Sequence, residues 1–274
     1  MASSGELYQR TDGKWAFRIT ASNGQMVATD GGQGYESKSD ARDTLEKVIG
    51  GRYDDKPLLR HYRTLRLIVG GLGIGLPLIV ALGAWVLPPG DGVGIQDSIS
   101  DYYYTIMRGV FIGVLFAIGV FLYSYKGYER SKDMKRFEPS DSIAGNLACF
   151  FALGVALFPT TEAGAVGDWV GKVHFFSATA LFLTLAYFSL RLFTKTAEDG
   201  ERSPQKRIRD TVYKTCGWVI LVCIGLIALY SVVDVDKSSG LASLNPVFWL
   251  EALALWAFGW SWFVKGEILL GDAN

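Results

Sequence analysis

The sequence predicts an all-α membrane bundle of six helices preceded by a small soluble α+β domain, an antiparallel sheet with one covering helix. Three observations predict it. Half of the 274 residues are apolar, yet nearly all long apolar runs lie after residue 65. The segments between those runs alternate between basic and almost base-free. Residues 1–56 lack such runs and show a period of two followed by a helical pattern.

Composition narrows the function. The 27 basic and 27 acidic residues cancel, which argues against nucleic acid as a partner, since binding it usually leaves a basic excess. The apolar content is too high for a disordered chain. Cys149, Cys216 and Cys223 all fall inside apolar runs and form no CxxC pair. They read as small buried residues, with neither a disulfide framework nor a zinc site. No cofactor is expected. The start, MASSGELYQR, has no basic region leading into an apolar core, so no cleavable signal peptide is expected.

Within residues 1–56, Trp15, Phe17 and Ile19 alternate with Lys14, Arg18 and Thr20, the mark of a half-buried strand. Asn23-Gly24 is the dipeptide favoured in two-residue hairpin turns, where both central positions need positive φ. Gln25 to Thr29 reads as the returning strand, Gly31, Gly32 and Gly34 break the pattern, and a short third strand follows. Ser37 with Asp40 three residues later begins a helix. Ala41, Leu45, Val48 and Ile49 fall on one face of it, and Gly50-Gly51 ends it.

The run GKWAFRITASNGQMVATDGGQGYESKSDARDTLEKV resembles the YegP-like bacterial domain. Phe17-Arg18, Asn23-Gly24, Tyr35, Ser37-Lys38 and Ala41 carry the resemblance. It implies a small sheet covered by one helix, and no catalytic residues. The family often carries tandem copies. A single copy stands here, which leaves pairing between protomers open.

Six apolar stretches follow, at 65–87, 106–125, 142–159, 169–193, 213–233 and 246–264. Most reach the roughly 20 residues needed to cross about 30 Å of hydrocarbon, the third being the shortest. A helix satisfies its own backbone hydrogen bonds in lipid. Lys126, Arg130, Lys132, Lys135 and Arg136 lie in one connection, and Lys195, Arg202, Lys206, Arg207, Arg209 and Lys214 in another. Arg60, Arg63 and Arg66 precede the first stretch. The alternate connections hold Asp91, Asp97 and Asp101, then Lys172 alone, then Lys237 alone. The positive-inside rule makes the basic side cytoplasmic. The expected location is the bacterial inner membrane, multi-pass, with both termini in the cytoplasm.

This helical part resembles the six-span superfamily that includes the damage-regulated autophagy modulators and bacterial relatives. Ile99-Ser100-Asp101, Ala156-Leu157-Phe158-Pro159 and Val173-His174 carry the likeness. It implies six helices and no shared mechanism.

Candidate ligand-binding residues gather at the expected outer surface. A helix from Ser100 would put Asp101, Tyr104 and Arg108 on one face at i, i+3 and i+7. A charge at the margin of the apolar layer needs a partner, and Asp101 or Asp97 is the nearest to Arg108. The plainer reading is a structural ion pair with an aromatic belt of Tyr102, Tyr103 and Tyr104. His174 opens the fourth stretch after Asp168 and Lys172, with Glu162 nearby, and is either a hydrogen-bonded structural residue or a base, ligand or pH sensor. His61 is the other histidine. Glu251, inside the sixth stretch, either meets Arg108 or His174 or reaches headgroups. One histidine with scattered carboxylates is a poor metal set, and a Ser100–His174–Asp triad has no nucleophile elbow behind it. Gly71-x-x-x-Gly75 and Gly109-x-x-x-Gly113 suggest close helix packing. The glycine-rich run from Gly70 to Gly75 lacks the strand and helix of a nucleotide loop. Lys206-Arg207-Ile208-Arg209 suits anionic lipid as well as orientation.

Three functions fit. The favoured one is a membrane protein with a sensory or assembly head and a bundle that binds membrane lipid or a small ligand, self-associating through the head or through helix packing. The second is an enzyme acting on a lipid or lipid-linked substrate at the outer leaflet, using Asp101, Arg108, His174 and Glu251. The third is an oligomeric channel or transporter, weakened by the near absence of ionisable residues at mid-membrane.

Overall fold

The computed structural model describes residues 4–21, 24–49, 56–87, 94–125, 139–161, 169–195, 204–233, 240 and 242–266, with the side chains of Ser4 and of 49–63 excepted. The turn residue Asn23, the stop Gly50-Gly51, the basic run from Lys126 to Arg136, and Asp91, Glu162, Asp168, Arg202 and Lys237 lie outside the described residues, as do the side chains of Arg60, His61 and Arg63. The chain divides into two units, Met1–Tyr62 and Arg63–Asn274.

The first unit is a three-stranded antiparallel sheet in the order β1 (Ser4–Gln9), β2 (Trp15–Thr20) and β3 (Met26–Thr29), with helix α1 (Lys38–Ile49). Period-two alternation puts Phe17 and Ile19 of β2 into the core with Leu45 of α1, and Leu7, Ala28 and Tyr35 pack around them. Leu7 faces Phe17 and Glu6 faces Arg18 in the β1–β2 register. Gly24 has φ +79° and donates its amide to Ala21, closing the hairpin in a conformation that favours glycine. The Ser37 hydroxyl accepts the Ser39 amide at the start of α1.

Three sequence expectations shift here. β1 was not anticipated, and it supplies the third strand. The strand expected after Thr29 is reduced to a single bridge, Trp15–Tyr35, because three glycines precede it. Ala41 and Leu45 are buried as expected, but Val48 is 55% exposed.

The second unit is helical. Its elements are α2 (Lys56–Val86) from Arg63 onward, a 3₁₀ turn at Ser100–Tyr104, α3 (Arg108–Tyr123), α4 (Asp141–Leu157), α5 (Trp169–Tyr187) running into a π-helical turn at Phe188–Leu192, α6 (Pro204–Val232), a 3₁₀ turn at Ala242–Leu244 and α7 (Pro246–Lys265). Among the described residues four stretches are long and apolar enough to cross a membrane: Thr64–Val86, Trp169–Leu192, Pro204–Val232 and Ala242–Lys265. The six-span expectation is met only that far. α3 and α4 are apolar but have 16 and 17 residues, about 24–26 Å at 1.5 Å per residue, short of a ~30 Å hydrocarbon layer. The cause at α3 is a break at Thr105, whose extended backbone separates the 3₁₀ turn from the helix.

Small residues set the helix spacing. A Cβ on Gly259 would lie 2.6 Å from the Gly70 carbonyl oxygen, and one on Gly70 would lie 2.8 Å from that of Gly259. Only glycine lets α2 and α7 approach so closely. Trp256 Nε1 donates to the Ile74 carbonyl across the same contact at 3.1 Å. The GxxxG expectation is corrected accordingly. Gly71, Gly109 and Gly113 meet nothing within 4 Å, and Gly75 meets only Ile79 of its own helix.

Candidate functional site

The expected site residues lie where the segment 94–107 meets the end of α4 and the starts of α5 and α7. Asn245 begins the construction. It stands in the left-handed region at φ 49°, which asparagine tolerates, and donates its side-chain amide to the Ile95 carbonyl at 2.7 Å. Pro246 then starts α7, where a missing amide hydrogen does no harm. The Phe248 amide, one of the amides at this helix start without an intrahelical carbonyl, donates to the Asp97 carbonyl at 3.0 Å. One turn on, Glu251 Oε2 accepts the Ile99 amide hydrogen at 2.7 Å.

Asp101 occupies the middle of this layer. Its two carboxylate oxygens accept from Ser98 Oγ at 2.8 Å and from Thr160 Oγ1 at 3.0 Å. Tyr104 Oη donates to the Thr160 carbonyl at 2.6 Å. His174, 2% exposed, pairs Nδ1 with the Phe158 carbonyl at 2.6 Å. That pairing makes Nδ1 the protonated nitrogen of the neutral ring and turns Nε2 into an acceptor. The Asp101 charge acts on both His174 and Glu251. Tyr102 is fully buried beneath the layer, and burial pushes its phenol above the ordinary value.

The structure thus brings Asp101, His174 and Glu251 together and attaches Tyr104 through Thr160. It leaves out two residues. Asp97 takes part through its carbonyl, with its side chain exposed. Arg108 is exposed, donates Nε to the Tyr103 carbonyl and stands 4.7 Å from the centroid of the Tyr103 ring. The shared face of Asp101, Tyr104 and Arg108 does not form, because a 3₁₀ turn and the Thr105 break replace the expected continuous helix. Among the described residues Arg108 makes no ion pair with Asp97 or Asp101. Sequence reasoning missed Ser98, Thr160 and Asn245. The one available signal was a threonine directly after the Phe158-Pro159 close of α4.

Two carboxyl side chains and an imidazole, each fixed by short hydrogen bonds, make a preorganised polar layer. Its chemistry suits hydrogen bonding to a small polar or cationic group. Among the described residues no three histidine, cysteine, aspartate or glutamate side chains are placed to hold a metal ion.

A second feature lies along α6 and α7. An apolar groove of about 520 Å³ is walled by Trp218, Val222, Cys223, Leu226, Leu250 and Leu253. Thr211, Lys214 and Thr215 supply polar groups on the N-terminal stretch of its α6 wall.

A family model described as Domain of unknown function (DUF1508) matches residues 11–50. The first unit carries a YegP-like domain. The match covers β2, β3 and α1 and stops before α2, so it reaches none of the residues of the polar layer or the groove. No curated protein and no solved structure matches the chain. The likeness of the helical unit to six-span modulators gains no family support from these comparisons.

Proposed function

We propose that the chain is a bacterial inner-membrane protein that binds membrane lipid in its helical unit and carries its YegP-like domain as a cytoplasmic sensory or assembly module. The groove between α6 and α7 carries this reading. It is apolar along most of its length and polar at Thr211, Lys214 and Thr215, the pattern of an acyl chain below a headgroup. Its volume is that of a ligand pocket, roughly 300–1,000 Å³. Lysine near the hydrocarbon boundary suits an anionic headgroup.

Six crossings with both termini in the cytoplasm remain part of the proposal. Charge alternation between connections supports it. α3 and α4 would cross with help from flanking residues or local thinning of the bilayer.

The test is lipid retention. Wild-type protein extracted in mild detergent should carry phospholipid by native mass measurement. Val222→Trp and Leu226→Trp, which fill the groove, should lose it. Equal retention in all three contradicts the reading. In a cysteine-free background, a membrane-impermeant maleimide should label a cysteine at position 240 in intact cells and spare one at position 4. The reverse pattern overturns the orientation.

A second reading rests on the position of Asp101 between His174 and Glu251. It places a small polar ligand at that layer, within reach of Asp97, Tyr104 and Arg108 at its rim. Asp101→Asn and His174→Gln would then remove a ligand response while preserving lipid retention.

A further inference from the structure

α6 is longer than a bilayer's hydrocarbon is thick. Its 29 residues reach about 43 Å at 1.5 Å per residue, against ~30 Å of hydrocarbon. The surplus is polar. Lys206, Arg207, Arg209, Asp210 and Lys214 lie in its first eleven residues, and no charged residue follows before Val232. Trp218, 61% exposed, stands one turn below Lys214, and tryptophan marks the level of the headgroups. From Lys214 to Leu226 the wall of the groove runs about 18 Å, close to the ~15 Å that is half of the hydrocarbon layer. The groove therefore fits one acyl chain of the leaflet on the Lys214 side.

The face above the groove is cationic. Arg207, Thr211 and Lys214 stand at i, i+4 and i+7, all exposed. Thr211 and Lys214 line the groove, and Arg207 is the next side chain up the same face, about 10 Å above Lys214 along the axis. Helical side chains tilt toward the N-terminus, so Lys214 leans toward Thr211 and Arg207. Among the described residues neither cation makes an ion pair. Asp210, the acidic residue of α6, is buried and pairs with Lys206 at 2.5 Å. The Thr211 hydroxyl is spent on the Arg207 carbonyl at 3.1 Å.

This order of charges separates two kinds of headgroup. Every phospholipid has a phosphate for Lys214. A zwitterionic headgroup carries an ammonium beyond that phosphate, toward Arg207, where like charges repel. An anionic headgroup with hydroxyls there offers oxygens to the guanidinium instead. Such a repulsive element gives specificity beyond affinity. A second copy fits the groove poorly. Two copies inserted the same way and related by a two-fold axis would set Arg207 and Lys214 against the same cations at the same depth.

Resting on the groove as a lipid site, we propose that it selects anionic phospholipid over zwitterionic phospholipid, with Lys214 donating to the phosphate and Arg207 excluding a headgroup ammonium.

The test offers the full chain in detergent an equal mixture of phosphatidylglycerol and phosphatidylethanolamine with the same acyl chains, and counts each bound lipid by native mass measurement. A basic residue near the surface contributes about a fivefold preference for anionic lipid, so wild type should retain phosphatidylglycerol about fivefold over phosphatidylethanolamine. Arg207→Gln should bring the ratio to about one by admitting phosphatidylethanolamine, and Arg207→Glu should reverse it. Lys214→Gln should weaken retention of both lipids. Arg191→Gln, an exposed cation at the end of α5, should leave the ratio as in wild type. Val222→Trp should lose both lipids, which shows that the counted lipid sits in the groove. The Arg207 variants change an exposed side chain, and their thermal transitions should match wild type. Equal retention of the two lipids by wild type, or a wild-type ratio in Arg207→Glu, overturns the selection and leaves the lipid site standing. Retention of neither lipid removes the lipid site and the selection with it. A lipid-free dimer that Val222→Trp dissociates assigns the groove to a second copy and overturns both.

Discussion

Glu251 and Ile99 are joined by a 2.7 Å hydrogen bond between a carboxylate on α7 and a buried backbone amide. It ties a helix to the segment that leads into the 3₁₀ turn, across more than half of the sequence. Among the described residues this glutamate has no cation partner. It substitutes for the backbone carbonyl that an irregular segment cannot offer the Ile99 amide.

Removing that acceptor should cost more than exchanging the carboxyl for an amide. Glu251→Gln keeps a carbonyl oxygen for Ile99 and is expected to destabilise by under about 1.5 kcal/mol, the size of one ordinary hydrogen bond. Glu251→Leu strands a buried amide and should cost roughly 1–3 kcal/mol. Denaturation of the protein in detergent, followed by tryptophan fluorescence, measures both. Equal losses would show that the hydrogen bond to Ile99 is not what holds α7 to this segment.

The contact between Gly70 and Gly259 makes a sharper prediction about packing. Gly259→Ala places a methyl 2.6 Å from a carbonyl oxygen, so α2 and α7 must separate. Such overpacking costs typically 1–3 kcal/mol. Gly71→Ala and Gly113→Ala meet open space and should be neutral or slightly stabilising, since alanine is the better helix former. Comparing thermal midpoints of the three variants decides it. A loss at Gly71 equal to that at Gly259 would place the close crossing at the wrong glycine.

These two contacts show what was legible in the sequence. The positions of all six apolar helices followed from hydropathy, because lipid or core burial demands long apolar runs. The Phe17, Ile19 and Leu45 core followed from periodicity. β1 did not, because Gly5, Glu6, Tyr8 and Gln9 carry no clear alternation and the strand is fixed by pairing with β2. The GxxxG spacing misled, since Gly70 and Gly259 sit on different helices and no pattern within one helix reports their approach. At the site, the partners of Asp101 and Glu251 are a threonine and a backbone amide far along the chain. Residue types near in sequence drew attention to Arg108 instead, and the Thr105 break that turns it away has no strong local signal.

The separation of Arg108 from Asp101 can be measured by double-mutant cycles. Residues without shared contacts are additive within about 0.5 kcal/mol. Arg108→Ala with Asp101→Asn should therefore show coupling no larger than that. Asp101→Ala with Thr160→Val removes the two ends of one 3.0 Å hydrogen bond and should show coupling of roughly 0.5–3 kcal/mol. Strong coupling in the first pair would restore the continuous helical face that the extended backbone at Thr105 interrupts.

The YegP-like domain offers a last prediction. β3 is an edge strand of only four residues, and it leaves Met26 60% and Val27 63% exposed. Apolar edge strands are templates for pairing with another chain, and proteins that must stay single place charges there. The exposed Val48 on α1 adds apolar surface to the same small domain. Self-association of the full chain through β3 is the expected outcome, a second copy adding its strand beside Met26–Thr29. Val27→Lys should then lower the oligomer fraction in detergent at least tenfold at fixed protein concentration, while leaving the helical unit's thermal transition where it was. Mass measurement of the intact complex reads the first effect and tryptophan fluorescence the second. An oligomer that survives Val27→Lys together with Met26→Glu would move the association to the helices, where the open faces of Gly109 and Gly113 on α3 leave room for a neighbouring helix.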